Sequence, residues 1–264
     1  MAVEDIPAID IHGHYGQYVT SGGNRLANQF ASADATEVVE RARRSNIAWT
    51  VVSPLLGLMP RGCADAAVGN SEATNVVERT EGLLQWVVID PTQPQTFQQA
   101  DDLLGREKCV GIKIHPEEHC YPIREHGRAI FEFAAKHKAL ILTHSGEENS
   151  LPEDFVPLAN DLSEVTLILA HIGCGWDGDP SHQVRAIQAS AAGNIYADTS
   201  SAQSILPGLI EWAVAEVGVD RVLFGTDTPL YSTAMQRARI DRAELSEIEK
   251  RKILYDNTAS LLNL

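Results

Sequence analysis

Eight short apolar or β-branched runs recur along the chain: Ala8 to His12, Ala48 to Ser53, Leu84 to Ile89, Val110 to His115, Ala139 to His144, Thr166 to His171, Asn194 to Asp198 and Arg221 to Gly225. Each has the length and composition of a buried strand. The runs are nearly continuous rather than alternating, so both faces of each strand need cover. Crossover helices on a parallel sheet supply that cover. Stretches of helical character lie between the runs: Ala35 to Ser45 after the capping-box pattern Asp34-x-x-Glu37, then Glu125 to Lys138, and Ile205 to Val217. Eight strand-and-helix units in 264 residues match the size of a closed (β/α)8 TIM barrel. A doubly wound nucleotide-binding sheet would call for G-x-G-x-x-G after the first strand, where this chain has His12-Gly13-His14-Tyr15.

The sequence contains no low-complexity tract and no Pro- or Gly-rich linker, so residues 1–264 are expected to form one barrel domain. Two connections, Tyr15 to Phe30 and Pro54 to Gly69, are long and follow the first and second strands, where barrel loops shape a substrate pocket. The final stretch, Ala243 to Leu262, reads as a charged amphipathic helical segment that packs the last barrel helices.

Strand parity then picks out chemistry. Strict alternation in the first run puts Asp10, His12 and His14 on one side and Ile9, Ile11 and Gly13 on the other. Two imidazoles side by side at a strand end can share one ion, and zinc accepts such nitrogens while keeping a position open for water. Three further strands end in a metal-type residue: His144, His171 and Asp227. Catalytic groups in barrels come from such strand ends. His171 reads as either a ligand or a proton-transfer group beside the ion, and the second role is preferred. Asp227 can both ligate and accept a proton from water that the ion has acidified. Lys113 and His115, in Gly111-Ile112-Lys113-Ile114-His115-Pro116, share parity and are expected to meet substrate. For Lys113 an ordinary ion pair and a carbamate bridging two metals also remain open. Arg61 and Arg124 are candidates for a substrate carboxylate, Trp176 for a pocket wall. His119, His126, His137 and His182 lack strand-end placement and read as surface residues.

Composition narrows the partners. With 21 basic against 36 acidic residues, the net charge of -15 repels a phosphate backbone, so nucleic acid is not an expected partner. No run approaches the ~18 apolar residues of a membrane span, and the first residues carry no leader pattern. The expectation is a soluble cytoplasmic protein acting on a small molecule, with a homodimer as its candidate assembly. Cys63, Cys109, Cys120 and Cys174 show no C-x-x-C spacing and read as reduced, buried filler.

With these residues in place the chain resembles the amidohydrolase superfamily: H-x-H closes strand one, His closes strands five and six, and Asp closes strand eight. Ile9-Asp10-Ile11-His12-Gly13-His14, Gly111 to Pro116, Leu223-Phe224-Gly225-Thr226-Asp227 and Asn257 to Leu262 are most similar to its amidohydrolase-related (amidohydrolase 2) group. The Lys113-x-His115-Pro116 run also bears a local likeness to dihydroorotases. The resemblance implies one divalent ion, zinc first, on His12, His14, His144 and Asp227, with His171 in catalysis. Two-metal relatives add a carbamylated strand-four lysine and the strand-six histidine. Hydrolysis of an amide, lactone or ester by activated water is the leading reaction. Decarboxylation of a small carboxylated substrate is the alternative, and a non-catalytic metal-binding barrel ranks below both.

Overall fold

The computed structural model describes residues 3–20, 22–201 and 205–264. One sheet runs through β1 (Ala8–Tyr15), β2 (Ile47–Pro54), β3 (Leu83–Val88), β4 (Cys109–Ile114), β5 (Leu140–Thr143), β6 (Leu167–Leu169), β7 (Ile195–Asp198) and β8 (Val222–Leu223). Successive strands are parallel neighbours throughout. The ends of the sheet meet through backbone bonds from Ile11 N–H to Phe224 O (3.0 Å), Asp227 N–H to His12 O (2.7 Å) and His14 N–H to Thr228 O (2.6 Å). These close the (β/α)8 TIM barrel that the spacing of apolar runs predicts. All eight runs become strands, shifted by one to three residues at their ends, where hydrogen bonding rather than composition sets the limit.

Helices Ala35–Arg44, Ala66–Arg79, Gln95–Leu103, Ile123–His137, Pro152–Asp161, His182–Gln188 and Leu209–Val217 fill the connections. The first begins at Asp34, whose carboxylate accepts from Glu37 N–H. Glu37 itself pairs with Arg41. The last of these starts later than Ile205, because Gly208 takes φ 71° immediately before it. The terminal stretch is helical, but as Glu247–Arg251, a π-turn over Lys252–Asp256, and Asn257–Leu262.

Two apolar layers hold the barrel. Outward residues such as Ile112, Ile114, Ile141, Leu167, Leu169 and Phe224 pack on Ile130, Phe131, Phe155 and Ala213 of the helices. Inward residues Ile11, Val51, Leu84, Trp86, Leu142, Ile168 and Leu223 form a second cluster within the barrel, and Trp86 Nε1–H donates to Ile11 O at 2.8 Å. Each strand therefore buries both faces, which is why its sequence does not alternate.

The strict alternation expected along β1 fails. Its pairing with β2 shifts between Ala8 and Ile9 and again between Asp10 and Gly13, where three steps on β1 oppose two on β2. This bulge leaves Ile11 in the inner cluster and still brings His12 and His14 to a common site. Asp10 turns instead to the segment that follows β8, accepting from Thr226 N–H at 2.9 Å and from the Thr226 hydroxyl. Bulges beside active sites commonly re-aim side chains in this way.

Candidate metal centre

Every strand-end residue singled out in the sequence lies at the C-terminal mouth. His12 and His14 end β1, and His144, His171 and Asp227 follow β5, β6 and β8. His171 and Asp227 have φ of 71° and 56°, a left-handed backbone that costs free energy for side chains other than Gly and recurs at functional sites. Gly225 lies close beside them: a Cβ there would stand 3.1 Å from Asp198 Cγ and 3.2 Å from His12 Cβ, so these neighbours would have to give way by a few tenths of an ångström.

Hydrogen bonds assign the imidazole protons. His14 Nδ1 lies 3.1 Å from the Ser53 carbonyl oxygen, which can only accept, so Nδ1 carries a proton. Its Nε2 stands 3.1 Å from Asp227 Oδ1. His12 Nδ1 donates to Asp198 Oδ2 at 2.9 Å, leaving its Nε2 bare at 3.6 Å from the same Asp227 oxygen. The Ser200 hydroxyl donates to Asp198 Oδ1 and its oxygen accepts from His171 Nδ1 at 2.7 Å. His171 Nε2 is bare in turn. His144 donates from Nε2 to Glu147 Oε1 at 2.9 Å, and its Nδ1 stands 3.2 Å from His171 Nε2.

These imidazoles thus turn ring nitrogens toward one carboxylate and toward each other. Nitrogen and carboxylate donors gathered in this way suit zinc, manganese and similar divalent ions. His12, His14 and Asp227 form the tightest group, with ligand atoms all within 4.8 Å of one another. His144 stands one imidazole away, stacked on His115 at 4.3 Å between centroids. A second group, His12, His171 and Asp198, is knitted by the hydrogen bonds just described. A third, Asp177, Asp179 and His182, is held by Arg185, which bonds both Asp179 at 2.8 Å and His182 at 3.1 Å.

Burial sets the protonation of these groups. It pushes His12 down to about 4, helped by the nearby Lys113 charge, and holds His115 and His171 well below the ordinary imidazole range. Burial opposes ionisation of Asp227, but the imidazoles of His12, His14 and His171 outweigh it and keep the carboxyl below its usual range. Asp198 behaves likewise beside His12 and His171. Asp10, buried with a weaker set of donors, is pushed up to about 8.

Above the cluster opens a cavity of about 220 Å³. Tyr18, Leu55, Leu58, Met59, Leu230 and Tyr231 give it an apolar wall, and Arg61, Glu118 and Glu147 give it charge. Arg61 is bound to Glu118 Oε1 at 2.9 Å. His115 lines the cavity, whereas Lys113 ends on His12 Nε2 at 2.9 Å. Arg124 pairs with Asp154 at 2.7 Å, and neither it nor the exposed Trp176 lines the cavity. His119 and His182 are buried rather than superficial, bonded to Gly57 O and to Asp177. Cys63 and Cys120 are exposed, and Cys174 lines the cavity.

Sequence reasoning missed Asp198, Ser200 and the cavity acids Glu118 and Glu147. Asp198 had a legible signal, since it closes a strand as His144 and Asp227 do. The others sit on loops whose path no periodicity encodes.

A parallel barrel with histidines and an aspartate gathered at its C-terminal mouth defines a class, the TIM-barrel proteins with a metal-type site. The amidohydrolase family model matches residues 9–264, and the chain belongs to that family. No curated protein matches the chain in sequence. Among solved structures, 2,6-dihydroxybenzoate decarboxylase from Rhizobium is 12% identical with a TM-score of 0.73, over 97% of this chain and 98% of that one. A dihydroxybenzoic acid decarboxylase from a Polaromonas species, solved with manganese and 2-nitroresorcinol, is 14% identical with a TM-score of 0.72, over 98% and 97% of the two chains. A Pseudomonas putida protein provisionally assigned as a 2-pyrone-4,6-dicarboxylic acid hydrolase is 15% identical, TM-score 0.66, over 98% of both. At these identities the likeness is one of fold. No helix among the described residues is long and apolar enough to cross a membrane.

Proposed function

We propose that this amidohydrolase-family enzyme uses a divalent ion, held by His12, His14, His144 and Asp227, to decarboxylate a small carboxylated substrate with a planar, hydroxylated ring. The observation that carries the reading is the convergence of the His12 and His14 Nε2 atoms on Asp227 Oδ1 beneath a small cavity with an apolar, tyrosine-bearing wall. Decarboxylation, the alternative drawn from sequence, moves ahead of hydrolysis here because the Rhizobium and Polaromonas proteins are decarboxylases of dihydroxybenzoates. Zinc is the ion favoured from sequence, and the manganese in the Polaromonas protein puts manganese beside it.

When bound, the ion supplies Lewis acidity toward carboxylate and hydroxyl oxygens of the substrate. The chain's own groups do the rest. The apolar wall lays the ring over the mouth and excludes water, while Arg61 offers a cation to an anionic substituent. His171, its Nδ1 locked on Ser200, takes up a solvent proton on Nε2 and delivers it to the ring carbon as carbon dioxide leaves. Asp227, ionised through its imidazole neighbours, takes up and returns a proton at the ring hydroxyl.

Hydrolysis of a lactone is the second reading, favoured by the likeness to the Pseudomonas protein and by the position of Asp227 to receive a proton from water. Both are tested by supplying the ion-loaded enzyme with hydroxybenzoates and with pyrone carboxylates. Release of carbon dioxide with a ring proton taken from solvent supports the leading reading. Ring opening with incorporation of solvent oxygen supports the second, and turnover of neither class contradicts both.

A further inference from the structure

We propose that Lys113 is a resident cation that competes with the divalent ion for His12. The proposal rests on the assignment of His12, His14 and Asp227 as ligands. Lys113 is paired through its backbone with Val88 and Leu142, so its Cα is fixed in the barrel wall. Its side chain is 1% exposed and ends with Nζ 2.9 Å from His12 Nε2. It does not line the cavity. The ammonium is therefore set against an ion ligand rather than against a substrate.

His12 Nε2 has a single in-plane lone pair, because the imidazole proton resides on Nδ1, bonded to Asp198. An ammonium hydrogen and a metal ion cannot both occupy it. The two cations also answer the same anion, since Asp227 is a ligand candidate and one of the two carboxylates whose charge acts on Lys113. Without the ion, Lys113 supplies the positive charge that keeps the imidazoles and carboxylates together. When the ion enters, Nζ swings off His12 on its flexible stem. Ion affinity is thereby held below what the donor set alone would give.

A carbamylated Lys113 makes the opposite prediction, because removing a ligand weakens binding. Full-length chains stripped with chelator are titrated with manganese chloride and zinc chloride by calorimetry, with and without bicarbonate. The set comprises wild type, Lys113→Met, Lys113→Gln and His14→Ala. Lys113→Met binds both ions at least about tenfold tighter than wild type, the order expected from removing a like charge a few ångströms from a dication. Lys113→Gln, which keeps an N–H donor for His12 but no charge, falls between them. The ion also raises the melting temperature of Lys113→Met further than that of wild type. Equal or weaker binding by Lys113→Met overturns the proposal, as does bicarbonate that tightens binding in wild type alone. Binding by none of the chains overturns the ligand assignment itself, and unimpaired binding by His14→Ala does the same.

Discussion

Ser200 shows how a residue that never reaches the ion governs one that faces it. Its hydroxyl has one proton, and Asp198, an acceptor only, takes it; the oxygen then accepts from His171 Nδ1. The unprotonated Nε2 of His171 follows from that order. Ser200→Ala should release the ring to the other tautomer and lower turnover by about 10- to 100-fold, the usual cost of losing a group that orients a site imidazole. Imidazole nitrogen chemical shifts check the tautomer directly, and Ser200→Thr, which keeps the hydroxyl, should restore it. An unchanged tautomer in Ser200→Ala would remove the positioning role. At this scale the sequence is half legible. His12, His14, His144, His171 and Asp227 announce themselves because metal-type residues closing several strands in one chain are unlike core filler. Ser200 and Glu147 do not, because a serine or glutamate on a loop has the same composition whether it orients an imidazole or faces water.

Between elements, the seam joining β1 to β8 and the crowding inside β4 carry the site. Asp10 satisfies the Thr226 N–H and hydroxyl and its own strand's His12 N–H at 3.1 Å. Asp10→Ala leaves these buried donors without a partner and should cost about 1–3 kcal/mol of stability, read from denaturant unfolding; a cost near zero would mean that the seam does not depend on Asp10. Gly111 has no room for a side chain: a Cβ would lie 2.6 Å from the Leu140 carbonyl oxygen and 2.6 Å from the Trp86 ring. Gly111→Ala should destabilise by about 1–3 kcal/mol through overpacking, and an unchanged unfolding midpoint would contradict that account. The elements themselves were readable, since eight apolar runs separated by helical stretches admit few folds. What escaped was the bulge in β1. Alternation assumes uniform pairing, and the extra residue that turns Asp10 to Thr226 while Ile11 and His12 both face inward is fixed by the neighbouring strand's register.

As a whole molecule, the barrel gathers charge that it cannot neutralise well alone. Asp198 and Asp227 lie among buried imidazoles, with Lys113 the buried cation that contacts His12. A bound divalent ion therefore stabilises the folded state by mass action. At a free concentration about a hundred times the dissociation constant it contributes roughly 2.7 kcal/mol, and removing it with chelator should lower the melting temperature by roughly 5–10 °C for a chain of this size. A melting curve indifferent to chelator and to added ion would mean that the cluster is held together by hydrogen bonds and Lys113 alone.

The most direct test is the metal content of the chain purified without chelator, compared with a His12→Ala, His14→Ala double variant. The account predicts about one divalent ion per wild-type chain, as for a catalytic site with three or four protein ligands, and essentially none in a double variant that remains folded. A wild-type chain that holds no ion even after incubation with zinc or manganese, or a double variant that keeps its ion, would contradict it.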